Sequence, residues 1–287
     1  MAVAIAPGSC GELVQGIVNG RYFLVTCPIS WYSEVEIIPD ACGHLADHQR
    51  KLGQAVQRWL SGHDQAERPF LARVRSALPR GKGMASSSAD IAAACVAVAR
   101  AMDASISAEE IAAIAVAIEP SDGIFFPGIV AFDHVQGTWH TPLGEPPPMT
   151  LAIFDTGGRI DTLRFNQRKD LYELNCQKEA EVARAYALVA EGLTQQSPKL
   201  IGEGATLSAL ANQIIVEKRG LEKAVACISG YGAVGINAAH SGTVVGVLFD
   251  NSCLEGYAAC VRQLLKQNET WHYLGQAKLV SGGIFTQ

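Results

Sequence analysis

No apolar stretch in this 287-residue chain is long enough to cross a bilayer. The first six residues are apolar but lack a basic flank, so no signal peptide is expected. There is no block of Lys and Arg, and the net charge is −5. That argues against nucleic acid as the main partner, because phosphate-backbone binding needs clustered cations. None of the eight cysteines (Cys10, Cys27, Cys42, Cys95, Cys176, Cys227, Cys253, Cys260) has CxxC spacing, and the histidines are scattered, which excludes a zinc constellation. Several cysteines fall inside apolar runs and read as reduced, buried thiols of a cytoplasmic protein. Internal repeats and low-complexity tracts are absent. What remains, with 48% hydrophobic and 18% charged residues, is a soluble globular chain of one or two domains.

The most informative segment present is Pro79-Arg-Gly-Lys-Gly-Met-Ala-Ser-Ser-Ser-Ala-Asp90, which runs into an Ala-rich apolar helix expected over 88–102. Gly81 and Gly83 permit positive φ and close approach of the backbone to an anion. A loop of this kind gathers several N–H groups, and the helix behind it adds the positive end of its dipole. Ser86, Ser87 and Ser88 supply hydroxyls, and Arg80 and Lys82 supply charge. The spacing is not that of a Walker A loop, since Lys82 is followed by Gly83. The same residues also suit a side-chain-capped buried helix after a flexible turn.

Elsewhere, strands are expected at 2–5, 22–27, 33–38, 70–76, 128–133, 150–155, 243–249 and 278–285. Helices are expected at 49–60, 106–118, 177–193, 206–218, 221–229 and 254–267. Ala6 to Gly16 reads as a Pro-Gly turn after the first strand, and Gly235 to Gly246 as a small-residue turn. Three consecutive prolines, Pro146 to Pro148, set the boundary between two α+β halves, 1–148 and 149–287. Asp122, in Glu119-Pro-Ser-Asp-Gly123, sits on a sharp turn after a helix. A carboxylate there suits either a general base pointing into a cleft or ordinary turn chemistry. His240 is either a site residue or a satisfied structural histidine. Arg159 is either a clamp for a substrate carboxylate or a solvated loop residue.

These segments together resemble the GHMP kinase superfamily, and within it the L-threonine kinases of cobalamin synthesis. The likeness rests on Ser9-Cys-Gly-Glu-Leu-Val-Gln-Gly16, Cys27-Pro-Ile-Ser-Trp-Tyr32, Pro79 to Ser88, Glu119 to Gly123 and Ala239-His-Ser-Gly-Thr243. It implies a two-domain α+β fold with the active site in the interdomain cleft. It also implies ATP as phosphoryl donor and L-threonine as acceptor, with Mg²⁺ bridging the phosphates. The alternatives are a homoserine kinase-like or other small-alcohol enzyme, or a non-catalytic nucleotide-binding member of the fold. The triphosphate would lie along Pro79, Arg80, Gly81, Lys82, Gly83, Met84, Ala85, Ser86, Ser87 and Ser88. Ser87 would reach the metal together with Glu119, although Glu109 and Glu110 stand near the spacing seen in relatives. Asp122 would face the acceptor hydroxyl. Ser9, Cys10, Gly11, Glu12, His240, Ser241, Gly242 and Thr243 would surround the substrate. Glu12 would meet an ammonium or a loop N–H. Where many relatives carry a cation after the Pro-Gly turn, this chain has Ser9 and Cys10.

Overall fold

A computed structural model describes residues 1–41, 47–158, 165 and 168–286. Its strands are β1 (Ala2–Val18), β2 (Arg21–Pro39), β3 (Phe70–Ser76), β4 (Ile129–Phe132), β5 (His140–Gly144), β6 (Met149–Asp155), β7 (Ala233–Ala238), β8 (Val244–Asp250), β9 (His272–Lys278) and β10 (Phe285–Thr286). Its α-helices are α1 (Arg50–Gly62), α2 (Ser86–Ala101), α3 (Ala108–Val116), α4 (Leu171–Gln177), α5 (Glu179–Thr194), α6 (Pro198–Ala211), α7 (Leu221–Ile228) and α8 (Tyr257–Gln267). The strands form one antiparallel sheet in the order β5-β4-β2-β1-β7-β8-β6-β9, with β10 added to β1 and β3 to β2. The fold is α+β, and the long β1–β2 hairpin runs through both halves.

α2 is apolar all round and lies against β1, β2 and α1 with Ala89, Ile91, Ala92, Cys95 and Val98 fully buried. A helix hydrophobic on every side has to be interior, and its alanines let it lie close to the sheet. α1 is amphipathic instead and buries Leu52, Val56, Trp59 and Leu60. α3 begins at a capping box, in which Glu110 N–H donates to Ser107 Oγ (3.2 Å) and Ser107 N–H to Glu110 Oε2 (2.8 Å).

Several expectations are corrected. Ala6 to Gly16 is not a turn but the body of β1, with register shifts at Pro7/Gly8, Ser9/Glu12 and Glu12/Val14. Bulges absorb the proline and the glycine that suggested a break, with Gly11 at φ 57. The expected helix 206–218 is α6, which starts at Pro198 and ends at Ala211. Ser197 caps it and Pro198 occupies its first turn. Gly202 and Gly204 are where α6 approaches other backbone: a Cβ on Gly204 would stand 2.7 Å from the Ala185 carbonyl. The expected strand 278–285 is not formed: β9 ends at Lys278, β10 begins at Phe285, and only isolated bridges at Leu279 and Gly282 lie between. β5, β7 and α4 have no counterpart in the sequence reading. The segment 145–148 joins β5 to β6. No helix among the described residues is long and apolar enough to cross a membrane. Cys10, Cys27, Cys95 and Cys260 are buried free thiols, whereas Cys176 and Cys253 are exposed; Cys42 lies outside the described residues.

Candidate active site

The loop 77–85 leaves β3 and turns into α2. Ala85 takes the N-cap position in the left-handed region (φ 53), and no side chain caps the helix. The first-turn N–H groups therefore have no capping acceptor, which is the condition for an anion to sit there. Gly81 (φ 70) has open space where a Cβ would be. Gly83 (φ 81) does not: a Cβ there would lie 2.5 Å from Ala239 Cβ and 2.8 Å from Gly242 Cα. Its missing side chain lets the loop press against the 239–243 turn. Thr243 N–H (2.9 Å) and Val244 N–H (3.2 Å) donate to the Lys82 carbonyl, and Ser9 N–H donates to the Met84 carbonyl (3.1 Å). The loop is thus pinned from both sides.

Two cavities lie beside this loop, one lined by Arg80, Gly81, Ser86 and Ser87 and the other by Gly83. The outer one, about 440 Å³, is lined by Arg50, Lys51, Arg80, Gly81, Ser86 and Ser87 among others. At its wall the Ser87 hydroxyl donates to Glu119 Oε1, and Lys51 Nζ pairs with Glu119 Oε2. No group of three or more His, Cys, Asp or Glu suited to a metal occurs among the described residues. A hydroxyl and a carboxylate in contact fit Mg²⁺ nonetheless, because this ion takes oxygen ligands and completes its shell with water and phosphate. Glu109 and Glu110 are used at the start of α3, and of the three candidate glutamates only Glu119 bonds to Ser87. Arg80 is held by the buried Asp90 (2.9 Å), which also accepts Ser33 Oγ (2.5 Å). Lys82 pairs with Asp155 at 2.6 Å.

The inner cavity is small, about 60 Å³, and is lined by Glu12, Gly83, Asp122, His134, His240 and Ser241 together with Leu24, Pro120 and Ser121. Ser88, the residue after Ser87, is buried and holds one of its lining residues, Asp122. Asp122 N–H donates to Ser88 Oγ (3.2 Å), and the same hydroxyl lies 3.4 Å from Asp122 Oδ2. Burial pushes the Asp122 pKa up to about 6, against hydrogen bonds from Glu12 and Ser88. Burial, and then the charge and hydrogen bond of Asp122, raise the Glu12 pKa well above the carboxylate range. Both shifts run upward, as expected of two neighbouring buried carboxylates that resist being ionised together. Burial brings the His134 pKa down to about 4. His240 is held well below its ordinary value by burial and then by the charges of His134, Lys178 and Lys218. Both rings are therefore neutral, with centroids 5.2 Å apart. His240 Nδ1 lies 3.2 Å from Gln15 Oε1.

Of the expected substrate residues, Glu12, His240 and Ser241 line the inner cavity. Ser9, Cys10, Gly11, Gly242 and Thr243 build the wall behind it. Cys10 is fully buried, burial raises its thiol pKa far above the ordinary value, and its carbonyl accepts from Asn237. Met84 and Ala85 point into the core. Arg159 lies outside the described residues. Sequence reasoning missed His134, Lys51 and Asp90. His134 directly follows β4 and Asp133, and nothing in the chain order shows that it meets a histidine over a hundred positions later.

Two family models match the chain: the GHMP kinases N terminal domain over residues 50–126 and the GHMP kinases C terminal over 189–254. The chain is 34% identical to an L-threonine kinase of Salmonella typhimurium, covering all of this chain and 96% of that protein. It is 32% identical to an L-threonine kinase of Citrobacter freundii over the whole of both. Among solved structures, a mevalonate kinase superposes with a TM-score of 0.72 at 14% identity, covering 98% of this chain and 99% of that one.

Proposed function

This chain belongs to the GHMP kinases, and on that premise we propose that it transfers the γ-phosphoryl group of ATP to the hydroxyl of L-threonine, giving O-phospho-L-threonine and ADP. The observation that carries this reading is the division of labour at the first turn of α2. Ser87 lines the outer cavity and bonds Glu119, while its buried neighbour Ser88 bonds Asp122, which lines the inner one. A donor nucleotide in the outer cavity and a small acceptor in the inner one would meet at the helix end.

In this reading Gly81, the uncapped N–H groups of α2 and Ser86 hold the triphosphate. Ser87 and Glu119 hold Mg²⁺, which when bound neutralises charge on the phosphates. Lys51, released from part of its contact with Glu119, turns to a phosphate. Ser88 and Glu12 orient Asp122, whose carboxylate takes the proton of the acceptor hydroxyl as that oxygen bonds to the γ-phosphorus and the bond to ADP breaks. Neutral His134 and His240 shape the cavity without adding charge. In this reading the product would feed the aminopropanol linker of cobalamin.

Two measurements test the reading. Steady-state kinetics with L-threonine, L-serine and L-homoserine should rank threonine first. Serine lacks one methyl and should lose about 10–200-fold in kcat/KM. Homoserine displaces the hydroxyl by one carbon and should turn over roughly 100-fold more slowly. Homoserine ranking first would replace threonine as the substrate, and ATP binding without any turnover would point to a non-catalytic member. The second measurement is the pH profile. Asp122 acts as a base only when ionised, so its raised pKa predicts a fall in kcat as pH drops through about 6. A profile that stays level from pH 7.5 to 5 removes Asp122 from that role.

A further inference from the structure

Gln15 is fully buried in β1, and every polar atom it carries is used. Its N–H donates to Ser208 Oγ (3.0 Å), its carbonyl accepts from Lys178 Nζ (3.1 Å), and its Nε2 donates to the Ala238 carbonyl (2.9 Å). That last bond fixes the direction of the amide, because turning it over would set two oxygens against each other. Oε1 is therefore the atom that meets His240 Nδ1 at 3.2 Å. An amide oxygen only accepts, so His240 Nδ1 carries the proton. In a neutral ring Nε2 is then left with its lone pair. The ring is neutral, since burial and neighbouring charge hold its pKa well below the ordinary value. It is also braced, with the rings of His134 and Phe165 edge-on to it at 5.2 Å each.

His240 lines the inner cavity with Glu12 and Asp122. The cavity is about 60 Å³, so groups on its walls face one another across a short gap. His240 Nε2 has no hydrogen-bond partner among the described residues, and Glu12 Oε2 is enclosed without one. Acceptors left short of a donor in a closed site are costly, and the ligand that answers them brings N–H or O–H. A hydroxyl brings one donor and an ammonium three. With the hydroxyl assigned to Asp122, the ammonium is the group with donors left to give.

We propose that His240, held by Gln15 as the Nδ1–H tautomer, accepts a hydrogen bond from the acceptor's ammonium at Nε2, beside Glu12. Gln15 is the positioning residue of this ammonium subsite. The proposal rests on the threonine reading above.

The tautomer is read first, without substrate. Long-range ¹H–¹⁵N correlation on protein labelled with ¹⁵N-histidine should show the His240 proton on Nδ1, the ring being assigned by its loss in His240→Gln. A wild-type ring protonated at Nε2 overturns the proposal. Gln15→Leu should let the Nε2–H form appear, and Gln15→Glu, which keeps an acceptor oxygen, should hold the proton on Nδ1. An unchanged tautomer in Gln15→Leu removes Gln15 from its role. Calorimetric titration then compares L-threonine with (R)-3-hydroxybutyrate, which keeps the hydroxyl, methyl and carboxylate and lacks the ammonium. His240→Leu should weaken threonine about 10-fold or more, the scale of a hydrogen bond to a charged group, and 3-hydroxybutyrate much less. His240→Gln, whose amide oxygen can stand near the place of Nε2, should recover part of the loss. ATP affinity should stay within twofold throughout. Equal losses on both ligands, unchanged threonine binding, or a wild type that does not bind threonine overturn the proposal. A wild type that binds threonine without phosphorylating it refutes the threonine kinase reading alone, and the titrations still decide for His240.

Discussion

Asp122→Asn is expected to lower kcat by roughly 10²–10⁴-fold, the usual span for loss of a general base. The amide keeps the shape of the carboxylate and can still contact Ser88, so the inner cavity should persist. It cannot take a proton from the acceptor hydroxyl. ATP affinity should be unchanged, because Asp122 lines the inner cavity and not the outer one. Stability should hold or rise. The folded-state pKa of Asp122 is raised, so the ionised carboxylate weighs on the fold at neutral pH. That burden is absent in acid and grows as pH rises through about 6; asparagine removes it. Single-turnover kinetics and a thermal melt check both halves. A variant with near-wild-type turnover would leave Asp122 as a turn residue, with catalysis resting on positioning and electrostatics alone.

Gly83→Val is expected to unfold the junction on which the site stands, not merely to weaken nucleotide binding. The glycine sits at φ 81, and a Cβ would enter contacts of 2.5 Å with Ala239 and 2.8 Å with Gly242. A left-handed β-branched residue costs at least about 1–2 kcal/mol. Forcing the turn apart adds about 1–3 kcal/mol. Together these are a large share of the roughly 5–15 kcal/mol that keeps a domain folded. Urea denaturation should show a clear fall in midpoint, with activity lost in parallel. Gly81→Ala is the control. At φ 70 it carries the left-handed strain of about 1–2 kcal/mol, but its Cβ would meet open space, so the midpoint should fall less than in Gly83→Val while ATP affinity falls. If Gly83→Val keeps its midpoint and loses only ATP binding, the close approach of the two loops is not what fixes that glycine.

The two glycines were equivalent in the sequence, each one residue from a cation in the same loop. Only the arrival of the 239–243 turn separates them, because that turn is far away in the chain. The same reason explains the other differences. Ala6 to Gly16 carries Pro, Gly and Ser in the order of a turn, and local chemistry favours that reading. The hairpin with β2 overrides it by absorbing those residues as bulges. The helix expected at 206–218 lies at Pro198–Ala211, where Gly202 and Gly204 let it pack closely against other backbone.

Local signals fared better where they decide alone. Phe70–Ser76 alternates and is a strand, the Ala-rich run after Ser86 is an interior helix, and Ser107 with Glu110 starts α3. The Ser-rich loop and the order of its companion motifs were enough to indicate the kinase family. The sequence by itself thus determined the elements whose periodicity and caps are local, and pointed to the segments proposed to meet a nucleotide and a hydroxyl. The tertiary structure alone decided that Ser87 bonds Glu119 and not Glu109 or Glu110, that Ser88 bonds Asp122, and that His134 meets His240. Those are facts about distance between residues far apart in the chain, and burial, which raises the pKa of Asp122, exists only once the chain has closed around it.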